Sequence, residues 1–147
     1  MKKLPKFKLK LTDGKEIDSR EIKKTIIFFY PKAMTSGCTI EVCDFQNHIE
    51  NFNKLGFNII GVSKDSLEKN QEFAEKYNLT YLLASDENEV CEKLDIWIEK
   101  SMYGKKYFGI GRTTYIIDSK GDIFKQWKNV KVPNHVKEVL QAAKNCT

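Results

Sequence analysis

The chain has 147 residues, 41% of them apolar and 31% charged, a length that suits one domain and a composition too apolar for a disordered chain. Its longest apolar run, Ile26 to Tyr30, falls far short of the roughly 18 residues of a membrane span. The basic start MKKLPKFKLK does not lead into a signal peptide's apolar segment, so the expectation is a cytoplasmic protein without membrane contact. The formal charge of +5 does not mark a nucleic-acid site, because lysines are mixed with acids nearly everywhere. One cluster stands out, Lys2, Lys3, Lys6, Lys8 and Lys10, and its last three members alternate with Phe7, Leu9 and Leu11 as on the wet face of an edge strand.

In chain order, Phe7 to Leu11 and Glu16 to Asp18 predict a short hairpin whose turn carries Asp13-Gly14. Thr25 to Tyr30 is apolar at nearly every position, as in a central strand covered on both faces, and Pro31 ends it. Cys38, Val42, Phe45, Ile49 and Phe52 recur at helical spacing, which predicts one helix from about Ser36 to Leu55, closed by Gly56. A strand over Phe57 to Ser63, a helix from Ser66 to Tyr77 capped by Ser66, a strand over Tyr81 to Ala84 and a helix from about Asn88 to Asp95 follow. Thr113 to Ile117 and Ile123 to Trp127 read as paired strands, and Asn134 as the cap of a last helix bearing Val136, Val139, Leu140 and Ala143. No linker or repeat interrupts the chain, so one α/β domain over residues 1–147 is expected, a mixed β-sheet flanked by helices with an N-terminal β-hairpin. That order of elements resembles the thioredoxin-like fold.

Four cysteines, Cys38, Cys43, Cys91 and Cys146, in a chain without secretory features suggest chemistry in a reducing compartment more than a disulfide framework. Cys38 falls between the buried strand and the first turn of the next helix, where unpaired N–H groups and the helix dipole favour an anion. A thiolate is such an anion, and it is the form that attacks peroxide. Simple packing is the competing reading of Cys38, since free cysteines are commonly buried. Cys43 lies roughly 140° around the helix from Cys38, off the apolar stripe. Ideal helix geometry separates their Cα atoms by roughly 8 to 9 Å, so a disulfide between them needs local unwinding. Zinc binding lacks a second ligand pair among Cys91, Cys146, His48 and His135, and a thioredoxin-type Cys-x-x-Cys is absent.

The segment FFYPKAMTSGCTIEVCDF, together with Arg112 in GRTTYIID, resembles the peroxiredoxins, and most closely their peroxiredoxin Q branch, also called the bacterioferritin comigratory proteins. The resemblance implies a cofactor-free thiol peroxidase acting on hydrogen peroxide and organic hydroperoxides. Cys38 would be the peroxidatic cysteine and Cys43 the resolving one, with recycling by thioredoxin or a similar dithiol protein and a monomeric state. It further implies that Thr35 hydrogen-bonds thiolate and peroxide, Pro31 shields the pocket, Arg112 steadies the reacting charge, and Glu41 positions Arg112. Ser36 departs from the branch, which commonly carries proline there, and the departure implies a more mobile loop. A thiol-based redox sensor or relay that passes oxidation to a partner is the alternative function.

The remaining candidates read as structural. Cys91 shares a helical face with Val90 and Leu94; Cys146 is given no role because chain ends fray; His48 and His135 look solvated or capping. Trp97, Tyr103, Tyr107 and Phe108, with Gly104, Gly109 and Gly111 nearby, look like a loop over the site.

Overall fold

A computed structural model describes residues 3–146; Lys2 of the basic cluster lies outside them. A seven-stranded mixed sheet is built from β1 (Lys8–Leu11), β2 (Glu16–Asp18), β3 (Thr25–Phe29), β4 (Asn58–Ser63), β5 (Leu82–Ser85), β8 (Thr113–Ile117) and β9 (Ile123–Trp127). Their spatial order is β2-β1-β5-β4-β3-β8-β9. β3 runs parallel to β4 and antiparallel to β8, and all five of its residues are buried. Period-2 alternation then divides it: Ile26 and Phe28 join one core, Ile27 and Phe29 the other. Both faces of the strand are therefore covered, as its unbroken apolar run requires.

The first core is closed by α1 (Ser36–Asn47), α2 (Ile49–Lys54), α3 (Leu67–Lys76) and α5 (His135–Lys144). Phe28 sets α1 on the sheet. Its ring lies across Gly61, where a Cβ would meet Phe28 Cζ at 2.6 Å, and it stacks on Phe45 of α1 at 4.4 Å between centroids. Truncating Phe45 to alanine removes that contact, a change that costs about 3–5 kcal/mol in a packed core. The second core includes Phe7, Leu9 and Leu11 of the first hairpin and α4 (Val90–Lys93).

Several sequence expectations need correction. The single helix from Ser36 to Leu55 is two, broken at His48, whose Nδ1 lies 3.0 Å from the Asp44 carbonyl and whose N–H donates to the Phe45 carbonyl, three residues back, at 3.2 Å. Phe45 and Phe52 reach the same core from either side of the break, so their spacing reads as one continuous stripe. Gly56 does close α2, with φ +82°. β1 is not an edge strand: it lies between β2 and β5, although Lys6, Lys8 and Lys10 do face solvent. α4 is shorter than expected because Asp86 starts it, accepting the Val90 and Cys91 N–H groups at 2.9 and 3.0 Å. Asn134 occupies the N-cap position of α5 with φ +64° but makes no side-chain cap bond.

The aromatic segment read as a loop is a hairpin of β6 (Trp97–Met102) and β7 (Lys105–Ile110) outside the main sheet. Tyr103 and Gly104 both take positive φ at its tip, the turn geometry that suits a twisted two-residue hairpin. Cys146 is buried in the first core. His135 is also buried, edge-on to Phe45 and Trp127, with Nε2 2.8 Å from Thr114 Oγ1.

Burial, reinforced by the charge of Arg112, pushes the His135 imidazole down to about 4. The unfolded chain binds that proton near an ordinary value of about 6.5, so the stability His135 contributes is complete above about pH 6.5 and lost as pH falls toward 4. An NMR titration is expected to show its ring still neutral at about pH 5. A ring that charges at about 6.5 would contradict the buried placement.

Candidate active site

The carboxyl end of β3 leads through Tyr30, Pro31, Lys32, Ala33 and Met34 into Thr35, the N-cap of α1. Two anchors fix this connection. The Tyr30 N–H donates to the Val62 carbonyl, continuing the sheet, and the Ala33 N–H donates to Asp65 Oδ2 at 2.7 Å. Asp65 also accepts the Ser63 hydroxyl at 2.8 Å. Behind the connection, the Tyr30 hydroxyl donates to Asn70 Oδ1 at 2.5 Å, and Asn70 Nδ2 donates to Ser85 Oγ at 2.9 Å. Met34 takes φ +69°, a left-handed conformation costly for a side-chain-bearing residue.

Cys38 is fully buried in the first turns of α1, and all four cysteines are free. Arg112 follows β7 and precedes β8. Its Nη1 donates to Glu41 Oε1 at 2.6 Å, and its Nη2 lies 3.3 Å from where a Gly37 Cβ would be. Gly37 thus lets the guanidinium lie against the first turn of α1, beside Cys38. Burial opposes the charge on Arg112, but Glu41 and Cys38 outweigh it and hold the guanidinium firmly protonated.

Glu41 is itself fully buried, and its Oε2 has no partner among the described residues. Burial pushes its carboxyl up to about 7, with Arg112 pulling the other way. Desolvation therefore wins over pairing in direction, even against a 2.6 Å contact.

The structure brings Cys38, Glu41 and Arg112 together and places Pro31 and Thr35 on the adjoining loop. Thr35 differs from expectation: its hydroxyl donates to the Lys32 carbonyl at 2.7 Å, so its oxygen has only lone pairs to offer another group. Cys43 is half-buried against the first core; burial, then Asp44, pushes its thiol up. Cys91 is buried as expected, its thiol driven far up by burial and then by Asp86. Among the described residues no group of three or more His, Cys, Asp or Glu side chains converges as a metal site would. Wide clefts, such as the one lined by Lys6, Phe7, Asp18 and Lys93, lie elsewhere and take no part.

Sequence reading overlooked Asp65, which hid as an ordinary residue before the Ser66 cap. It also overlooked the Tyr30–Asn70 pair, because a hydrogen bond across 40 positions leaves no local pattern.

The loop also explains how a buried sulfur is reached. Thr35 and Ser36 are exposed, and Ser36 is the first residue of α1. Thr35, at φ −81° and ψ 156°, already has the backbone that a following proline demands. Ser36→Pro is therefore expected to stabilise the protein by about 0.4–1 kcal/mol. It should also slow disulfide formation after oxidation, because it stiffens the turn that must unwind; rapid-quench thiol counting checks this, and unchanged kinetics would contradict it.

Comparison with known proteins agrees with this geometry. The AhpC/TSA family pattern matches residues 1–126. Peroxiredoxin Bcp of Bacillus subtilis is 44% identical over 146 residues, covering 97% of this chain and 93% of that protein. Peroxiredoxin Bcp of Escherichia coli is 40% identical over 139 residues, covering 92% and 89%. Among solved structures, Xanthomonas campestris peroxiredoxin Q superposes with a TM-score of 0.88 at 37% identity, covering 95% of this chain and 90% of that one. Peroxidoxin BcpB of Mycobacterium tuberculosis gives a TM-score of 0.84 at 25% identity, covering 99% and 96%.

A buried cysteine at a helix start after a core strand, faced by an arginine, on a thioredoxin-like sheet defines a thiol peroxidase, and the chain belongs to the AhpC/TSA family. Within that family its place is with the Bcp peroxiredoxins, the peroxiredoxin Q branch.

Proposed function

We propose that Cys38 reduces hydrogen peroxide and organic hydroperoxides, and that Cys43 resolves the product. The Cys38 thiolate attacks the distal oxygen of ROOH; the S–O bond forms as the O–O bond breaks, and the leaving RO− takes a proton to become ROH. Sulfur is oxidised to a sulfenic acid and the peroxide is reduced. The observation that carries this reading is Arg112, fixed by Glu41 at 2.6 Å and lying against Gly37. Placed there, its donors meet charge that moves from sulfur to the leaving oxygen, with no reorganisation needed at the moment of reaction. Thr35, its own proton engaged by Lys32, accepts a hydrogen bond from the peroxide O–H. Pro31, half-buried at the strand end, limits water at the sulfur.

Resolution requires α1 to open. The Tyr81 hydroxyl donates to the Val42 carbonyl at 2.7 Å, and Gln46 Oε1 accepts the Thr80 N–H at 2.8 Å. The Gln46 bond holds the last turn of α1, while the Tyr81–Val42 bond lies within the stretch from Thr35 to Cys43 and is released as that stretch unwinds. Unwinding exposes Cys43 and relieves the burial that keeps its thiol protonated. Its thiolate then displaces the sulfenic oxygen as hydroxide, which a proton converts to water, leaving a Cys38–Cys43 disulfide. Thioredoxin, or a similar dithiol protein, reduces that disulfide by exchange and is itself oxidised. The reaction is completed within one domain and one subunit, because both sulfurs belong to the same helix. A reducing compartment, the cytoplasm, suits a protein whose four cysteines are all free.

Stopped-flow mixing with one equivalent of hydrogen peroxide, followed by thiol counting and peptide mass analysis, tests the reading. The expected result is loss of two thiols and a disulfide joining Cys38 to Cys43. Loss of thiols at Cys91 or Cys146, with Cys38 intact, would overturn it.

A further inference from the structure

We propose that Lys100 is a positioning residue for the peroxidase reaction, a second, partly buried cation held on the segment that delivers Arg112 to Cys38. The inference rests on the assignment of Cys38 as the attacking sulfur and adds a group to its surroundings.

Glu41 occupies Nη1 of Arg112, so the guanidinium is shared between the carboxylate and the thiolate. When Glu41 is ionised, one cation stands against two anions, and the site, buried at both Cys38 and Glu41, carries a net negative charge that also favours a proton on Glu41. A buried charge without a counter-charge is costly, and the anion that can shed its charge most readily by protonation then governs the site. A second cation removes that deficit.

Lys100 is placed to be that cation. It belongs to β6, opposite Tyr107 of β7, and its side chain turns along the hairpin instead of out to water. Its Cδ and Cε lie 3.4 and 3.5 Å from where a Gly109 Cβ would be, so the absent side chain at Gly109 makes the path it follows. Nζ then donates to the Ile110 carbonyl at 2.5 Å, two residues before Arg112. Lysine ordinarily keeps its ammonium in water. Here the ammonium is partly withdrawn, held on the segment that delivers Arg112 to Cys38, and given no carboxylate of its own.

The remaining groups agree. Burial, then repulsion from Arg112, lowers the Lys100 pKa, and attraction to Cys38 counters them only in part. The other titratable groups facing the cluster are Glu41, already engaged by Arg112, the Tyr30 phenol, kept neutral by burial, and the His135 imidazole, also kept neutral by burial. Tyr107, across the hairpin, is half in solvent and uncharged near neutral pH. Glu99 and Lys106 are exposed and face each other at 3.9 Å. With Glu41 ionised, the thiolate, Glu41, Arg112 and Lys100 make a set of two negative and two positive charges.

The experiment compares native protein, Lys100→Met and Lys100→Arg, each in a Cys43→Ser background so that only the first oxidation is observed. The second-order rate of hydrogen peroxide consumption and its pH profile are measured by stopped flow, with peptide mass analysis locating the oxidised sulfur. Lys100→Met is expected to slow the reaction by about tenfold at neutral pH and to move the midpoint of the pH–rate profile upward by about one unit. Lys100→Arg, which keeps the charge, is expected to retain the native midpoint.

A Lys100→Met protein with the native rate and midpoint would overturn the inference while leaving Cys38 as the attacking sulfur. Equal losses in Lys100→Met and Lys100→Arg would overturn it too, because packing on Gly109 would then be the whole role. Oxidation located away from Cys38 in the background protein would remove the site assignment itself, and this inference with it.

Discussion

Cys38→Ser is expected to consume hydrogen peroxide no faster than buffer alone, even with thioredoxin and its reductase supplied. Serine keeps the shape of the helix start but not the chemistry: a hydroxyl there is not ionised and oxygen does not accept a second oxygen to form a stable acid. Cys43→Ser is expected to behave differently. The first equivalent of peroxide still reacts, since Cys43 lies outside the Arg112 cluster and is half-buried against the core. Multiple turnover then stops, because no second sulfur closes the disulfide. Stopped-flow consumption followed by steady-state assay separates the two steps. Native-rate turnover by Cys43→Ser would show that Cys91, Cys146 or an external thiol resolves the sulfenic acid.

The second large effect is at Arg112. Arg112→Met is expected to slow the first oxidation by about 10² to 10³-fold, the typical loss on removing a preorganised donor from a developing anion. It also leaves Glu41 buried with both oxygens unpartnered, and breaking a buried pair in this way costs about 3–5 kcal/mol.

The pH dependence of that cost has a definite sign. Glu41 is already raised to about 7 with Arg112 present. Without the guanidinium it holds its proton to higher pH, while the unfolded chain gives it up near an ordinary value of about 4.3, so the variant loses stability as pH rises. Urea unfolding of Arg112→Met at mildly acid and mildly alkaline pH measures this directly. Adding Glu41→Gln should restore stability at the higher pH without restoring the rate. A double variant with native rate would mean that Arg112 serves only to neutralise Glu41.

Much of this was legible in the sequence where local rules decide the outcome. β3 was readable because a short run of β-branched and aromatic residues, stopped by Pro31, suits a strand with two covered faces. Cys38 was readable because a strand end followed by a helical stripe fixes where the first turn must lie. Ser66 was readable as a cap, and its side chain does accept the Lys69 N–H.

The failures share a cause: each depends on partners distant in sequence. The break at His48 carries no Pro or Gly and leaves Phe45 and Phe52 on one core, so the apolar pattern does not announce it. The β6–β7 hairpin carries its turn on Tyr103-Gly104 and has exposed aromatics on its strands, so neither alternation nor Asn-Gly announces it. His135 and Cys146 looked peripheral but are buried because α5 packs back on the sheet. Glu41 could be linked to Arg112 only through family resemblance, because 71 positions separate them. Lys100 gave no signal at all, since a lysine in a lysine-rich chain is unremarkable until its ammonium is found on a buried carbonyl.

The depth of Cys38 bears on how the enzyme works. A sulfur with no exposed surface is protected from bulky oxidants and from chance disulfides, and the loop from Pro31 to Gly37 becomes its gate. Asp65 holds that loop at Ala33, Met34 strains it, and the exposed Thr35 and Ser36 leave it free to move. The last turn of α1 stays anchored through Gln46. In the proposed reaction, the segment that admits peroxide is thus also the one that unwinds to meet Cys43.

The most direct test is to locate the oxygen after transfer. Reduced Cys43→Ser protein is given one equivalent of hydrogen peroxide in the presence of dimedone, which captures sulfenic acids, and the adduct is mapped by peptide mass. The expected adduct is on Cys38, and the yield should collapse when Arg112 is also replaced by methionine. An adduct on Cys91 or Cys146, or none on Cys38 while peroxide disappears at the native rate, would contradict the account.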